Sequence, residues 1–441
     1  MPASLNAAGR WRAAWRSRTR PWFAAAALLM LGGCSLAYMD VMQQVDKDLA
    51  SQQPQAALKA LDKLSGGKDQ TLYLLNKAMV LRMTGDYAAS AQVFEQAKPL
   101  MQYLEAASVT ENAAAFTFTE NLRAYEAPLY ERLLVHVYQG LNYLQLGQPD
   151  SARVEAAQMD DLLKRLYPGA DAAPNGGDAF PRYFSGLIYE DMGEYSDAMI
   201  AYRQAYKSYK AQGASDESIP EDLKASLCRF SEFLGLSDEL ADYKKRFGIE
   251  HWAPVDKQAE QGQLVFVFSD GMAPVKVAQS SLLPDPFNGH YYSVSLPVLR
   301  RRIPGYAGAT VLVGGEQAET ERVASIAADA SQQMAADRPK LIAAELSRNV
   351  TRAVAANQAD KKAQGLGSLM SLVASAVDQA DTRIWGTLPD NIQLARLRLP
   401  PGTYDLTVQL KGGRNVTRTL KGVTIQAGQM TFASLQWTSL N

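Results

Sequence analysis

The chain has 441 residues, 45 lysines and arginines against 46 aspartates and glutamates, and a net charge of −1 with histidine neutral. That balance excludes a strongly basic nucleic-acid-binding surface, and the length is enough for two or three domains. Two cysteines give no disulfide framework, and three histidines far apart in sequence give no metal-ligand spacing.

The N-terminal stretch is a targeting segment. Arg10, Arg12, Arg16, Arg18 and Arg20 form a basic region with no acidic residue before Cys34. Phe23 to Leu31 is uncharged and apolar, but shorter than the roughly 20 residues a membrane-spanning helix needs. Leu31-Gly32-Gly33-Cys34 resembles the lipobox of bacterial lipoproteins. The resemblance implies a signal peptide over 1–33, cleavage before Cys34 and acylation of its thiol with more than one chain. Ser35 implies passage to the outer membrane. More than one chain matters, because a single one anchors only marginally. The alternative is an ordinary cleaved signal with a chance cysteine. Losing residues 1–33 removes five arginines and no acid, which leaves 40 basic against 46 acidic residues. A mature net charge of −6 argues against nucleic acid and against adhesion through a polybasic patch. Cys228 then has no partner for an internal disulfide and reads as a small buried residue on a helix.

From 34 to 250 the pattern is helical, rich in Ala, Leu, Tyr and Gln, and broken by short Gly-containing turns. It repeats. Gly186, Tyr189, the turn Gly193-Glu194-Tyr195, Ala198, Tyr202 and Ala205 resemble the signature of a tetratricopeptide repeat. A small residue at 186 lets the second helix of the pair approach closely. Weaker copies carry Ala78, Leu81, Gly85, Tyr87, Ala91 and Phe94, and then Gly140, Tyr143, Gly147, Pro149, Ala152 and Ala156. The turn positions Tyr87, Pro149 and Tyr195 are 62 and 46 residues apart. Uninterrupted copies recur every 34 or so, so this is an interrupted array with a concave surface suited to a peptide or protein segment.

Residues 251–261 read as a linker, and 262–441 as a β domain. Gln263 to Phe268 is a buried strand, and Val311 to Val313 ends in a Gly-Gly turn. Tyr404, Leu406, Val408 and Leu410 alternate with polar residues, as in a strand with one wet face. Val423 to Ala427 and Thr431 to Trp437 complete an antiparallel sandwich, which an Ala-rich helical insertion splits at about 319–381. The whole is α+β: an all-α tetratricopeptide-like array followed by a small antiparallel β-sandwich with a helical insertion. Within the insertion, Gly365 to Val377 is apolar and rich in small residues, which suits packing against a neighbour.

Catalytic motifs are mostly absent. Ser65 and Lys68 have S-x-x-K spacing but sit in a Gly-Gly turn without companion motifs. The densest polar cluster runs from Asn121 to Glu155 and contains Tyr125, Glu126, Glu131, Arg132, His136 and Arg153. Arg132, His136 and Gln139 share one helical face. Tyr125, Glu131, Arg132, His136 and Arg153 are therefore candidates for partner binding, since Arg and Tyr anchor interfaces well. The competing reading is an internal network in which Arg153 pairs Glu126 or Glu131. Glu126, Glu131, Glu155 and Asp160 are the acids a hydrolase would draw on, with little support. No cofactor and no metal is expected.

The runs Tyr125 to Gly147, Asp270 to Lys276, Ala380 to Trp385 with Leu388-Pro389, and Gln393 to Gly402 resemble a family of largely uncharacterised bacterial outer-membrane lipoproteins with tetratricopeptide-like repeats. The resemblance covers most of the mature chain and transfers no catalytic residue. It implies a lipid-anchored, non-enzymatic periplasmic scaffold that docks an envelope protein in its repeat groove, within a peptidoglycan-synthesis or surface-assembly complex. A glycan- or peptidoglycan-binding β domain, with Trp385, Trp437, Tyr291 and Tyr292 as stacking aromatics, is the alternative.

Overall fold

A computed structural model describes residues 38–66, 69–111, 124–169, 176–255, 260–284, 291–362 and 380–438. The signal segment, Cys34, Lys68 and the Gly365–Val377 run lie outside the described residues.

Among the described residues ten helices come first: α1 (38–50), α2 (Pro54–Leu61), α3 (Gln70–Met83), α4 (Tyr87–Glu111), α5 (Leu129–Gln145), α6 (Pro149–Leu166), α7 (Ala179–Asp191), α8 (Tyr195–Ala211), α9 (Glu221–Phe233) and α10 (Ser237–Phe247). The pairs α3/α4, α5/α6, α7/α8 and α9/α10 close through one turn chemistry. Gly85, Gly147, Gly193 and Gly235 all have left-handed φ, between 68° and 82°. The next N–H then reaches back five residues: Asp86 to Leu81, Gln148 to Tyr143, Glu194 to Tyr189 and Leu236 to Ser231, at 2.8–3.1 Å. These are Schellman caps, which satisfy carbonyls the ending helix leaves open and turn the chain back on itself. The fourth, at Gly235, adds a repeat to the three read from the sequence.

Close approach is real at Gly186, where a Cβ would stand 2.4 Å from the Tyr202 ring. Gly140 makes room for Phe184 of the next pair.

Ten strands follow among the described residues: β1 (Gly262–Asp270), β2 (Val275–Pro284), β3 (Tyr291–Arg300), β4 (Gly308–Val313), β5 (Glu316–Glu319), β6 (Glu321–Ser325), β7 (Asn391–Leu399), β8 (Gly402–Lys411), β9 (Val416–Ile425) and β10 (Met430–Trp437). One sheet has the order β10-β1-β7-β6, the other β5-β4-β8-β9, and β2 and β3 form a separate hairpin. The expected antiparallel pairing holds except that β1 and β10 run parallel, with Phe266 opposite Ala433. The insertion also starts later than expected: β6 precedes α11 (Ile326–Lys362), a 37-residue helix.

The alternation of β1 explains the architecture. Leu264, Phe266 and Phe268 pack with Val311, Leu406 and Val408 in a core between the two sheets. Val265 and Val267 point the other way, into a core shared with Phe184 and Trp385. A strand buried on both faces reads as one apolar run. The first sheet therefore serves both the sandwich and the helical array, and the two halves share a continuous core. Among the described residues no helix is long and apolar enough to cross a membrane.

Candidate functional site

The first helix of each repeat pair faces the first sheet. From α3, Arg82 donates to Ser434 of β10, and Gln145 at the end of α5 reaches the same hydroxyl. From α7, the Phe184 ring meets Phe432 edge-on, and Asp191 accepts the Met430 N–H at 2.6 Å. Burial lifts the Asp191 carboxyl to about 6 against the pull of that N–H. From α9, Asp222 pairs Arg396 of β7. The inner face of the array is thus covered by the chain's own sheet.

Residues 380–390 fill the rest of it. They lie outside helix and strand, and helix side chains bond their backbone. The Tyr38 hydroxyl donates to the Ile384 carbonyl at 3.2 Å, Glu131 accepts the Trp385 N–H at 3.3 Å, and Asn76 accepts the Thr387 N–H at 3.2 Å. Trp385 is fully buried against Phe94. Arg383 bridges Asp381 and Asp69. Backbone-directed bonds around one buried aromatic are the way a groove grips an extended segment, here in the same chain.

The five sequence candidates divide among three places. Tyr125 and Glu131 belong to this clamp: Glu131 has no exposed surface and accepts the Tyr125 hydroxyl at 2.6 Å and the Tyr130 hydroxyl at 3.1 Å. Burial pushes its carboxyl upward, against those hydroxyls. Arg132 and His136 project from another side of α5 and line a small pocket of about 80 Å³ with Lys98, Gln102, Gln158 and Arg165. Arg132 pairs Glu105, while His136 Nδ1 stands 2.7 Å from Glu155, which also holds Lys98 at 2.8 Å. Arg153, 44% exposed, pairs Glu194 at 2.6 Å and neither Glu126 nor Glu131, because its helix presents it to the next turn.

Three of the four acids a hydrolase would draw on have partners of their own. Glu131 sits in the clamp, Glu155 lies beside His136, and Asp160 accepts the Tyr189 hydroxyl. Among the described residues no three His, Cys, Asp or Glu side chains are grouped to hold a metal. Cys228 is buried, with its thiol pushed up to about 11 by burial. Trp385 and Trp437 are buried too, which removes two of the four aromatics that a glycan site would use.

The sequence reading missed a buried ionic cluster at the seam. Glu190 of α7 meets Arg229 of α9 and Arg396 of β7, and accepts the Tyr202 hydroxyl at 2.6 Å. Burial pushes the Glu190 carboxyl up, but the two guanidiniums outweigh it and bring it down to about 2. Arg396 and Arg398, two apart on one strand, were the available signal.

No family model matches the chain, and no curated protein matches it. Among solved structures it is similar to the crystal structure of MamA protein, at 17% identity over 48% of this chain and 90% of that one, with a TM-score of 0.30. A tetratricopeptide repeat protein from Parabacteroides merdae is similar at 11% identity over 51% and 84%, with a TM-score of 0.23. Overlap that low carries no argument, so the repeat assignment rests on the caps and helix pairs described above.

Proposed function

We propose that this protein is a lipid-anchored, non-enzymatic scaffold on the periplasmic face of the outer membrane, held by Cys34, that docks a protein partner in cell-envelope or peptidoglycan assembly. The anchor and location rest on the lipobox-like sequence, and the partner class on the family resemblance. The docking surface is relocated relative to the sequence expectation. The observation that carries this is the filling of the inner groove by the first sheet and residues 380–390. The candidates that remain reachable, Arg132, His136 and Arg153, lie away from that groove, the first two around an open pocket between α4, α5 and α6.

Photoreactive residues at Gln102 and Gln158 test this in cells. One envelope protein captured from both positions, and lost in Arg165→Ala with the melting temperature unchanged, supports docking there. Capture of the same protein from Thr417, on the remote strand β9, refutes a specific surface, and no capture refutes docking at this pocket. Labelled palmitate that still enters Cys34→Ala refutes the anchor.

A further inference from the structure

Beside the buried ionic cluster an open cleft of about 480 Å³ runs between α9, residues 252–253, the short strand β5 and β7. Arg229, Arg396 and Arg398 all line it. Two of the three guanidiniums are neutralised by Glu190 and Asp222. Arg398 is the guanidinium left without a pairing of its own, and Glu316 is the third carboxylate, on the rim. The described residues give Arg398 no carboxylate partner, and its Nε is buried without an acceptor. The same holds for the Nε of Arg229, a side chain only 2% exposed. Buried donors without acceptors are rare, and each one costs free energy until something accepts from it. Burial, and then the nearness of Arg229 and Arg396, bring the Arg398 guanidinium down to about 10, as expected for crowded like charges.

We propose that this cleft is a binding site for a monocarboxylate with an apolar or aromatic body, its two oxygens accepting from Arg398 and Arg229. One guanidinium without a carboxylate pair matches one carboxylate, and Glu316 on the rim disfavours a dianion such as phosphate. Planar guanidinium donors suit the flat carboxylate group. Trp252 and Ala225 supply apolar wall for the body, and the volume falls in the range of small-molecule sites. The ligand is a free organic acid or the carboxylate end of a peptide.

The test is titration of the purified full-length chain, by calorimetry and tryptophan fluorescence, with acetate, phenylacetate, N-acetylphenylalanine, phenylacetamide and inorganic phosphate. Saturable binding of phenylacetate or N-acetylphenylalanine at up to millimolar concentration, with none of phenylacetamide, is expected. Preference for N-acetylphenylalanine assigns the peptide source, and preference for phenylacetate the free acid. Arg398→Gln should weaken binding about tenfold or more, the worth of a charge-assisted hydrogen bond. Without ligand this variant should melt no lower than the parent, because it removes an unpartnered charge. Trp252→Phe should lose the fluorescence response and weaken phenylacetate more than acetate in calorimetry. Absence of binding by every carboxylate in folded protein, equal binding of the amide, tighter binding of phosphate, or unchanged affinity in Arg398→Gln would each overturn the assignment.

Discussion

Trp385→Ala tests whether the helical array and the β domain are one cooperative body. The Trp385 side chain is fully buried in the core shared by α4 and the first sheet, with its ring 6.0 Å from Phe94. An aromatic of this size buries roughly 200 Å², and at about 25 cal/mol per Å² its removal costs about 5 kcal/mol before relaxation. Measured truncations of buried Phe and Trp to Ala fall at about 3–5 kcal/mol. For roughly 350 described residues, at about 2.1 cal/mol/K each, 1 kcal/mol moves the melting temperature by about 1.3 °C. The expected drop is therefore about 4–7 °C in a single calorimetric transition. Trp385→Phe should fall by less than half of that. It keeps most of the apolar area and removes an indole N–H that is buried with no acceptor. Two separate transitions of which only one moves, or a drop below about 1 °C, would refute the shared core.

Three further outcomes are expected. Burial, and then Asp390, lift the buried Asp270 carboxyl to about 7, so the native state prefers it neutral. Stability is then lost as pH rises from about 4 to about 7, and Asp270→Asn should melt above the parent at pH 8 by the equivalent of about 2–4 kcal/mol. The gap should close by pH 4, and a gap independent of pH contradicts the assignment. Glu190→Gln leaves Arg229 buried with a neutral partner and Arg396 with Asp222 alone, at a cost of about 3–5 kcal/mol near neutral pH. Because the Glu190 carboxyl titrates at about 2, its contribution is present above the ordinary carboxylate range and fades as pH falls towards 2. Denaturation at pH 7 and pH 2.5 reads the difference. Gly186→Ala should destabilise by about 1–3 kcal/mol despite better helix propensity, because the new methyl meets the Tyr202 ring at 2.4 Å. A more stable variant in urea titration would mean that the α7/α8 pair is not tightly packed there.

The sequence made legible whatever is local. Three of the four Schellman turns stood out, because glycine with flanking Tyr, Pro and Ala marks the repeat. The fourth, Leu234-Gly235-Leu236, lacks those neighbours, and only its backbone geometry identifies it. Strand β8 was readable from its alternation, whereas β7 was not. Its Arg396 breaks the apolar pattern and is tolerable only because Glu190 and Asp222, 206 and 174 residues away, neutralise it. The candidate cluster was misleading for a geometric reason. Glu131 and Arg132 are adjacent in sequence, but successive residues on a helix point about 100° apart. One therefore enters the inner clamp and the other the outer pocket.

That division constrains how any partner engages. A segment entering the inner groove from another molecule would have to expel residues 380–390 and unseat Trp385, which alone costs about 3–5 kcal/mol. Such a ligand would start with its affinity reduced by a factor of about 10² to 10⁴ relative to an open groove. Expulsion would also pull on β7, which begins at Asn391 and lies between β1 and β6 in the first sheet. The groove is better understood as the joint that fixes the β domain to the array. Sites for other molecules are then to be sought where the joint leaves surface open, at the Arg132–His136 pocket and at the arginine cleft beside α9.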